Sequence, residues 1–558
     1  MKKTLLLLAG TLYFFVSGCA AKSPATCINR DGSVSILKID NEAKAVTFDK
    51  KFQGFTGVTE VKFSKSQKRN PITIDLSEYG NKDILIDFNM DIMIADKGGN
   101  TNNVVFVLND VDAKLPHLAD CKVEPNVWTS LHSQLFVKLG EKRQIFLSGA
   151  GYDKENVTFY IKNMNIQISG DGIGTMKAIS ENWLEVPAFK DAYKGVFDYV
   201  GFAVTFNDEL IEENVQEGLK YHADTITMGN EFKPDFVFGW SRPNSLKDFT
   251  AENGKTYKVP ADRPRFVTVD RCLSICKDNG LTMRGHVFVW HSQTPKWFFE
   301  EEFGMGDSID LVSVEEMNAR MEWYIKTFID HVEEWEKENN DGKNIVIAWD
   351  VVNEAASDNA TENQFLRTDS PWYSIYQNAD FIVNAFRYAN KYAPSDVKLV
   401  YNDYNCYQEN KLKAICKIID AIQANPDTRI DAVGMQSHIN INTPATGAGS
   451  FENAVHTFVS KGLNVQVTEL DIANGNEIYN PYKLKGVYKD YFKMFMNNRK
   501  TESSKGIEGV SIWGLKDEGT WLNNLSMYKG STQYPLLFTG EDYKCKPAYY
   551  GVLEAVTE

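Results

Sequence analysis

The sequence predicts two domains in series: an antiparallel, jelly-roll-like β-sandwich over residues 19–169 and a (β/α)8 barrel over residues 186–556. Three observations carry this expectation. Short strand-like runs with no convincing helix between them fill the first part of the chain. Eight apolar strand-like runs then alternate with amphipathic stretches, as in a chain of βα units. The polar residues of that second part gather where the apolar runs end. A doubly wound open sheet is the alternative for the second part, but eight consecutive strand–helix units fit a closed barrel better.

The first element is a targeting segment. Lys2 and Lys3 precede an apolar run from Leu5 to Val16, which is too short to span a bilayer comfortably. It closes on Val16-Ser17-Gly18-Cys19, which resembles a bacterial lipobox. Residues 1–18 are therefore expected to be a signal peptide, with a lipid on Cys19 and the protein anchored to a bacterial membrane, facing the periplasm or the cell surface. The alternative is an ordinary signal peptide followed by a chance cysteine. The other seven cysteines are an odd number, so at least one thiol is expected to be free, and most read as small buried hydrophobes.

Composition narrows the function. The 558 residues are 43% hydrophobic and 24% charged, an ordinary globular balance that excludes wholesale disorder. A net charge of −15 argues against a nucleic-acid partner. The 11 Trp, 25 Tyr and 33 Phe fit either a large core or a neutral, ring-shaped ligand.

The sandwich strands read as DILIDFNMDIMIAD, NVVFVLND, QLFVKL, QIFLSG and NVTFYIKNMNIQIS, bounded by Asp, Asn and Gly. The segment SGDGIGTMK follows. Thr175 stands where a G-x-G-x-x-G loop would need its last glycine, so residues 170–185 read as a linker. The barrel strands read as YVGFAVTF, TITMGN, TMRGHVFVWH, NIVIAWDVVNE, VKLVYNDYN, DAVGMQSHIN, NVQVTELDI and GVSIWGLKD. Met317, Met321, Tyr324, Phe328, Val332 and Trp335 form a helical core stripe between two of them.

Strand ends carry Asn230, His291, Asn353 with Glu354, Asn402 with Asn405, His438, Glu469 with Asp471, and Asp517. Glu354 and Glu469 each follow an apolar run directly, where a carboxylate is costly unless paired or functional. Two such acids can divide the labour at one bond: one donates to the leaving group and the other attacks or stabilises. Salt-bridged barrel acids are the alternative. His438 and Asp471 form a possible pair that would orient Glu469. His286 and His291 are five apart, so strand alternation sets them on opposite faces, which disfavours a metal-binding H-x-H pair. Trp290, Trp513 and Trp521 fall at or beyond strand ends, where their faces can stack on sugar rings. No cofactor or metal ligand set is called for.

The runs RGHVFVWHSQTPKWFF, WDVVNEAASD, NDYN, GMQSH, VTELDI and IWGLKDEGTWL resemble, in this order, glycoside hydrolase family 10, the xylanases. The resemblance covers roughly residues 186–556. It implies a retaining (β/α)8 endo-β-1,4-xylanase acting on xylan and xylo-oligosaccharides, a monomer without a cofactor. Carried over by motif, Glu354 is the general acid/base and Glu469 the nucleophile, supported by His438 and Asp471. Asn353 would meet the sugar 2-hydroxyl. His286, Trp290, Gln293, Gln436, Trp513 and Trp521 would line the subsites nearest the cleaved bond. Asn230 and Lys233 would bind the glycone side, and Tyr404 would lie toward the aglycone.

One departure stands out: Gly229 occupies a place where the family commonly has a glutamate that contacts the second glycone sugar. The front region looks like a carbohydrate-binding module, with Trp128 and Tyr152 as candidate platforms; a spacer holding the barrel off a membrane is the competing reading. A glycan-binding lipoprotein without turnover and a barrel glycosidase acting on another β-1,4-glucan or mannan compete with the xylanase reading. Intact Glu354 and Glu469 argue against the first, and WHSQTP argues against the second.

Overall fold

The computed structural model describes residues 181–557 apart from 307–309, 476–478, 480 and 529–531, together with strand segments and short turns between 25 and 170. Cys19, Tyr152 and the glycine-rich joint at 171–180 lie outside the described residues. The chain divides into two compact units, the second made of Asn182–Gly475 and Leu484–Glu558.

Among the described residues the first unit holds two sheets, of six and five strands, the two layers a sandwich requires. Every pairing within them is antiparallel. In the five-stranded sheet, Phe159 pairs with Val61 and Ile94, and Ile161 pairs with Ile92. All five are buried, and so are Tyr160, Met93 and Glu60 at the alternating positions, so both faces of the sheet are covered here. Trp128 packs against the cluster of Val58, Met93 and Tyr160. Lys162 Nζ also lies 4.4 Å from the centre of its ring.

The second unit is the predicted barrel. Its strands are β1 (Tyr199–Val204), β2 (Thr225–Met228), β3 (Thr282–Trp290), β4 (Val346–Asn353), β5 (Lys398–Asp403), β6 (Ala432–Met435), β7 (Asn464–Ala473) and β8 (Ile507–Ile512). Neighbours pair in parallel from β1 round to β8, β8 pairs with β1, and the sheet is closed. Helices follow each strand in turn: α1 (Glu213–His222), α2 (Val267–Asn279), α3 (Val314–Asn339), α4 (Asp380–Tyr392), α5 (Glu409–Gln423), α6 (Phe451–Ser460), α7 (Pro481–Asn497) and α8 (Pro547–Thr557). Ser313 caps α3 through the Glu316 amide, and Met317, Met321, Tyr324, Phe328 and Val332 of the predicted stripe are buried. No helix among the described residues is long and apolar enough to cross a membrane.

The second unit begins earlier than residue 186. Asn182 caps a short turn, and Trp183 is buried with its ring stacked on Tyr543, 4.3 Å between centres. Cys272, Cys276 and Cys406 are buried free thiols, Cys416 is a half-buried one, and Cys545 is buried.

Candidate active site

The C-terminal ends of β2 to β7 converge on one polar constellation. Asn353 ends β4, and Glu354 follows it with φ of 56°, in the left-handed region that L-residues rarely adopt. That turn is held from both sides. The Glu354 amide donates to the Asn402 carbonyl (2.9 Å), and Arg367 Nε donates to the Glu354 carbonyl (3.0 Å). Strained backbone held in place by its surroundings is a mark of functional sites.

Glu354 and Glu469 are linked by three side-chain amides. Gln436 Nε2 (2.9 Å) and Asn353 Nδ2 (3.1 Å) donate to Glu354 Oε1. Asn402 Nδ2 donates to Asn353 Oδ1 (3.0 Å) and to Glu469 Oε1 (2.7 Å). Thr468 Oγ1 fixes the Asn402 amide from its oxygen side at 2.7 Å. Gly434 makes room for it: a β-carbon there would stand 2.2 Å from Asn402 Oδ1.

Glu469 is 4% exposed on β7. Burial by itself would push its carboxyl up, but the hydrogen bond to His438 and the nearby charges of His286 and His438 outweigh it and hold the group below the usual range. His438 Nε2 lies 3.1 Å from Glu469 Oε2, and its Nδ1 lies 2.9 Å from Asp471 Oδ2. Burial would lower His438, but the two acids, Asp471 foremost, push it up to about 10. The pair is therefore imidazolium and carboxylate at neutral pH. Trp521 Nε1 donates to Asp471 Oδ2 at 2.9 Å and fixes the far end of this relay.

This electrostatic arrangement predicts a pH effect. His438→Ala removes both the hydrogen bond and the charge and leaves burial to act on Glu469. The acid limb of kcat/KM is expected to move to higher pH by about one unit or more. A pH–rate profile with an unmoved acid limb contradicts the arrangement. The stability share of His438 runs the other way. Its folded pKa is raised, so this share is complete below the unfolded value near 6.5 and is lost as pH rises through about 10.

On the other side of the pair, Tyr404 accepts from Arg367 Nη2 (2.7 Å), the residue that holds the Glu354 carbonyl. Toward the glycone end, buried Lys233 donates to Gln293 Oε1 (2.9 Å) and reaches Asn230 Oδ1 at 3.4 Å. Its ammonium stands 5.2 Å from the Trp290 ring centre. The rings of Trp513 and Trp521 lie 5.7 Å from His286 and 4.8 Å from His438, respectively. All fourteen residues expected at the site thus fall in one connected region at the strand ends.

Two expectations are corrected. Alternation does not separate His286 from His291. Between His286 and Val289 the β3 register against β4 slips, three residues standing opposite two, so the parity changes. His286 Nδ1 pairs with Asp350 Oδ2 at 2.9 Å, and His291 Nδ1 lies 4.0 Å from Glu354 Oε2. Burial, reinforced by Arg367, lowers His291 to about 4 and leaves it neutral. Asp517, although it follows the last strand, does not join the site. Its carboxylate is buried against Lys546 Nζ at 2.7 Å and caps the Leu536 amide.

Sequence reasoning missed Asp350, Arg284 and Arg367. Arg284 and Asp350 are fully buried, 2.6 Å apart inside the barrel, and Asp350 in turn holds His286. The signal for the first two was present, a charge inside each of two apolar runs. Arg367 lies in a loop with no pattern to single it out.

Gly229 is not among the positive-φ glycines, and a β-carbon on it would meet nothing nearer than Thr205 Cγ2 at 3.4 Å. Gly229→Glu is therefore expected to fold and to lower KM for short xylo-oligosaccharides about tenfold or more, the worth of one charge-assisted hydrogen bond. Unchanged kinetics would show that the glycine is inconsequential.

The family model for Glycosyl hydrolase family 10 matches residues 188–555. Endo-1,4-beta-xylanase Y of Acetivibrio thermocellus is 34% identical over 347 residues, covering 60% of this chain but only 29% of that protein. Endo-1,4-beta-xylanase A of Butyrivibrio fibrisolvens is 32% identical over 390 residues, covering 66% of this chain and 84% of that protein. Among solved structures, the N-terminal endo-1,4-beta-D-xylanase 10B of Clostridium thermocellum, comprising CBM22-1 and GH10 modules complexed with xylohexaose, is 26% identical. It covers 92% of this chain and 93% of its own, with a TM-score of 0.54. The six motifs, the closed eight-stranded barrel that carries them and a family match over about two thirds of the residues agree: the chain belongs to glycosyl hydrolase family 10.

Proposed function

We propose that this protein is a retaining endo-β-1,4-xylanase, cleaving internal xylosidic bonds of xylan through a covalent glycosyl-enzyme. The observation that carries this reading is the unequal treatment of two linked carboxylates. Glu469 is held ionised by His438 and fixed by Asn402, as a nucleophile requires. Glu354 sits on a strained turn at the mouth of the barrel, its carboxyl accepting from the neutral side-chain amides of Asn353 and Gln436. In the first step Glu469 attacks the anomeric carbon while Glu354 gives its proton to the departing sugar oxygen. In the second step Glu354 takes a proton from water, which attacks the same carbon and releases Glu469. His438, tied to Asp471, keeps the charge of Glu469 in place between turns. Lys233, Asn230, Gln293 and Trp290 hold the glycone, and Tyr404 lies toward the aglycone.

Reducing-sugar release from xylan, cellulose and mannan under one set of conditions tests the reading. Release from xylan alone is expected. Equal or greater release from cellulose or mannan changes the substrate, and no release from any of the three reduces the protein to a glycan binder.

We also propose that Cys19 carries a lipid that anchors the enzyme to a bacterial membrane, on the strength of the Val16-Ser17-Gly18-Cys19 sequence after a short apolar run. Cys19→Ser is expected to abolish incorporation of radiolabelled fatty acid, and undiminished labelling would sink the proposal.

A further inference from the structure

The glycone end of the cleft does not stop at Lys233. Gln293, which accepts from Lys233 on one side, donates through Nε2 to Asp235 Oδ2 at 3.2 Å on the other. Asp235 and Gln293 both line a cavity of about 400 Å³, with Thr205, Asn207, Phe236 and Trp240 among its other walls. That size lies within the roughly 300–1,000 Å³ usual for small-molecule sites. A run of hydrogen bonds therefore leads from Lys233, whose ammonium feels the charges of Glu469 and Glu354, into this cavity.

Its lining is specific in character. Trp240 is 67% exposed and Phe236 is 39% exposed. Two large aromatic faces left in water beside a cleft mark a surface meant to be covered. The remaining lining groups are amides, a hydroxyl and the carboxylates of Asp208, Glu231 and Asp235, with no basic residue. This set repels an anionic ligand and suits a neutral one with many hydroxyls and an apolar ring face. Gly229 adjoins the same wall, because a β-carbon on it would touch Thr205.

We infer that this cavity is a distal glycone subsite. It takes the neutral xylose unit of the main chain that lies beyond the two glycone sugars nearest the cleaved bond, stacked on Trp240. The inference rests on the xylanase reading above. It also gives the Gly229 departure a counterpart: grip given up at the second sugar is recovered further out.

The test compares the full-length enzyme with Trp240→Ala and Trp240→Phe on linear xylohexaose and on an aryl β-xylobioside, whose two sugars reach the Asn230 and Gln293 wall of the cavity but not Trp240. In Trp240→Ala the ratio of kcat/KM for xylohexaose to that for the xylobioside is expected to fall about tenfold. Trp240→Phe, which keeps a ring face, is expected to restore most of it. A ratio within twofold of wild type in Trp240→Ala overturns the inference. So does a loss confined to decorated xylan with linear xylohexaose unaffected, since the cavity would then hold a side-chain sugar. A wild-type enzyme inert toward every xylo-oligosaccharide refutes the xylanase reading itself, and the subsite with it, before any variant is compared.

Discussion

Glu354→Ala is expected to lose about 10²–10⁴-fold of its rate on xylan and yet to react readily with a nitrophenyl β-xylobioside. A sugar alkoxide leaves badly without a proton, whereas nitrophenolate needs none. Glycosyl-enzyme then forms quickly on Glu469, but no base remains to activate water, so it accumulates. Azide needs no base. It is expected to restore turnover of the aryl substrate and to yield the β-glycosyl azide, the product of two inversions. Glu469→Ala has no nucleophile and is expected to be inactive on both substrates, with azide giving at most the α-product. Equal loss on both substrates in Glu354→Ala, or an α-azide from it, would reverse or void the assignment. The asymmetry follows from position. Glu469 is 4% exposed and has His438 and Asn402 fixed to its two oxygens, whereas Glu354 stands at the barrel mouth.

The second large effect lies below the site. Arg284→Met is expected to cost about 3–5 kcal/mol of barrel stability, because it leaves the Asp350 carboxylate buried without its cation. Burial by itself would raise Asp350, and the charge of Arg284 with the hydrogen bond to His286 holds it below the usual carboxylate range. Arg284 Nε also donates to Gln466 Oε1 at 2.8 Å, and Gln466 Nε2 to Glu508 Oε1 at 2.7 Å, so the loss exposes a network and not one pair. The check is the urea midpoint at unchanged slope. A double variant, Arg284→Met with Asp350→Leu, is expected to recover much of the loss, since it removes the orphaned charge. A single-variant loss below about 1 kcal/mol would mean that water or His286 already carries Asp350. The same variant reaches the chemistry through His286, which stands between Asp350 and the charge of Glu469.

The architecture was legible because it rests on periodicity. Parallel strands covered on both faces must be apolar throughout, so eight such runs separated by helical stripes announce a barrel without any contact being known. The two acids were legible for the same reason: a carboxylate at the end of an apolar run is conspicuous. His438 and Asp471 followed from adjacent strands, whose ends a barrel must bring together, and the structure pairs them across 2.9 Å.

What the sequence determined by itself is therefore the order of elements, the face on which chemistry gathers and the identity of the residues there. Tertiary structure decided how those residues are held. The β3 bulge turned both His286 and His291 toward the site where simple alternation would have parted them, because one extra residue shifts every later side chain to the other face. Asp517 was a strand-end acid like the others until Lys546, near the start of α8, took it out of the site. Asn402 reaches Glu469 from 67 positions away, Arg367 holds the Glu354 turn from a loop without pattern, and the buried Arg284 and Asp350 lie 66 positions apart. Such partners are chosen by distance in space, which the closing of the barrel creates and no local spacing in the sequence encodes.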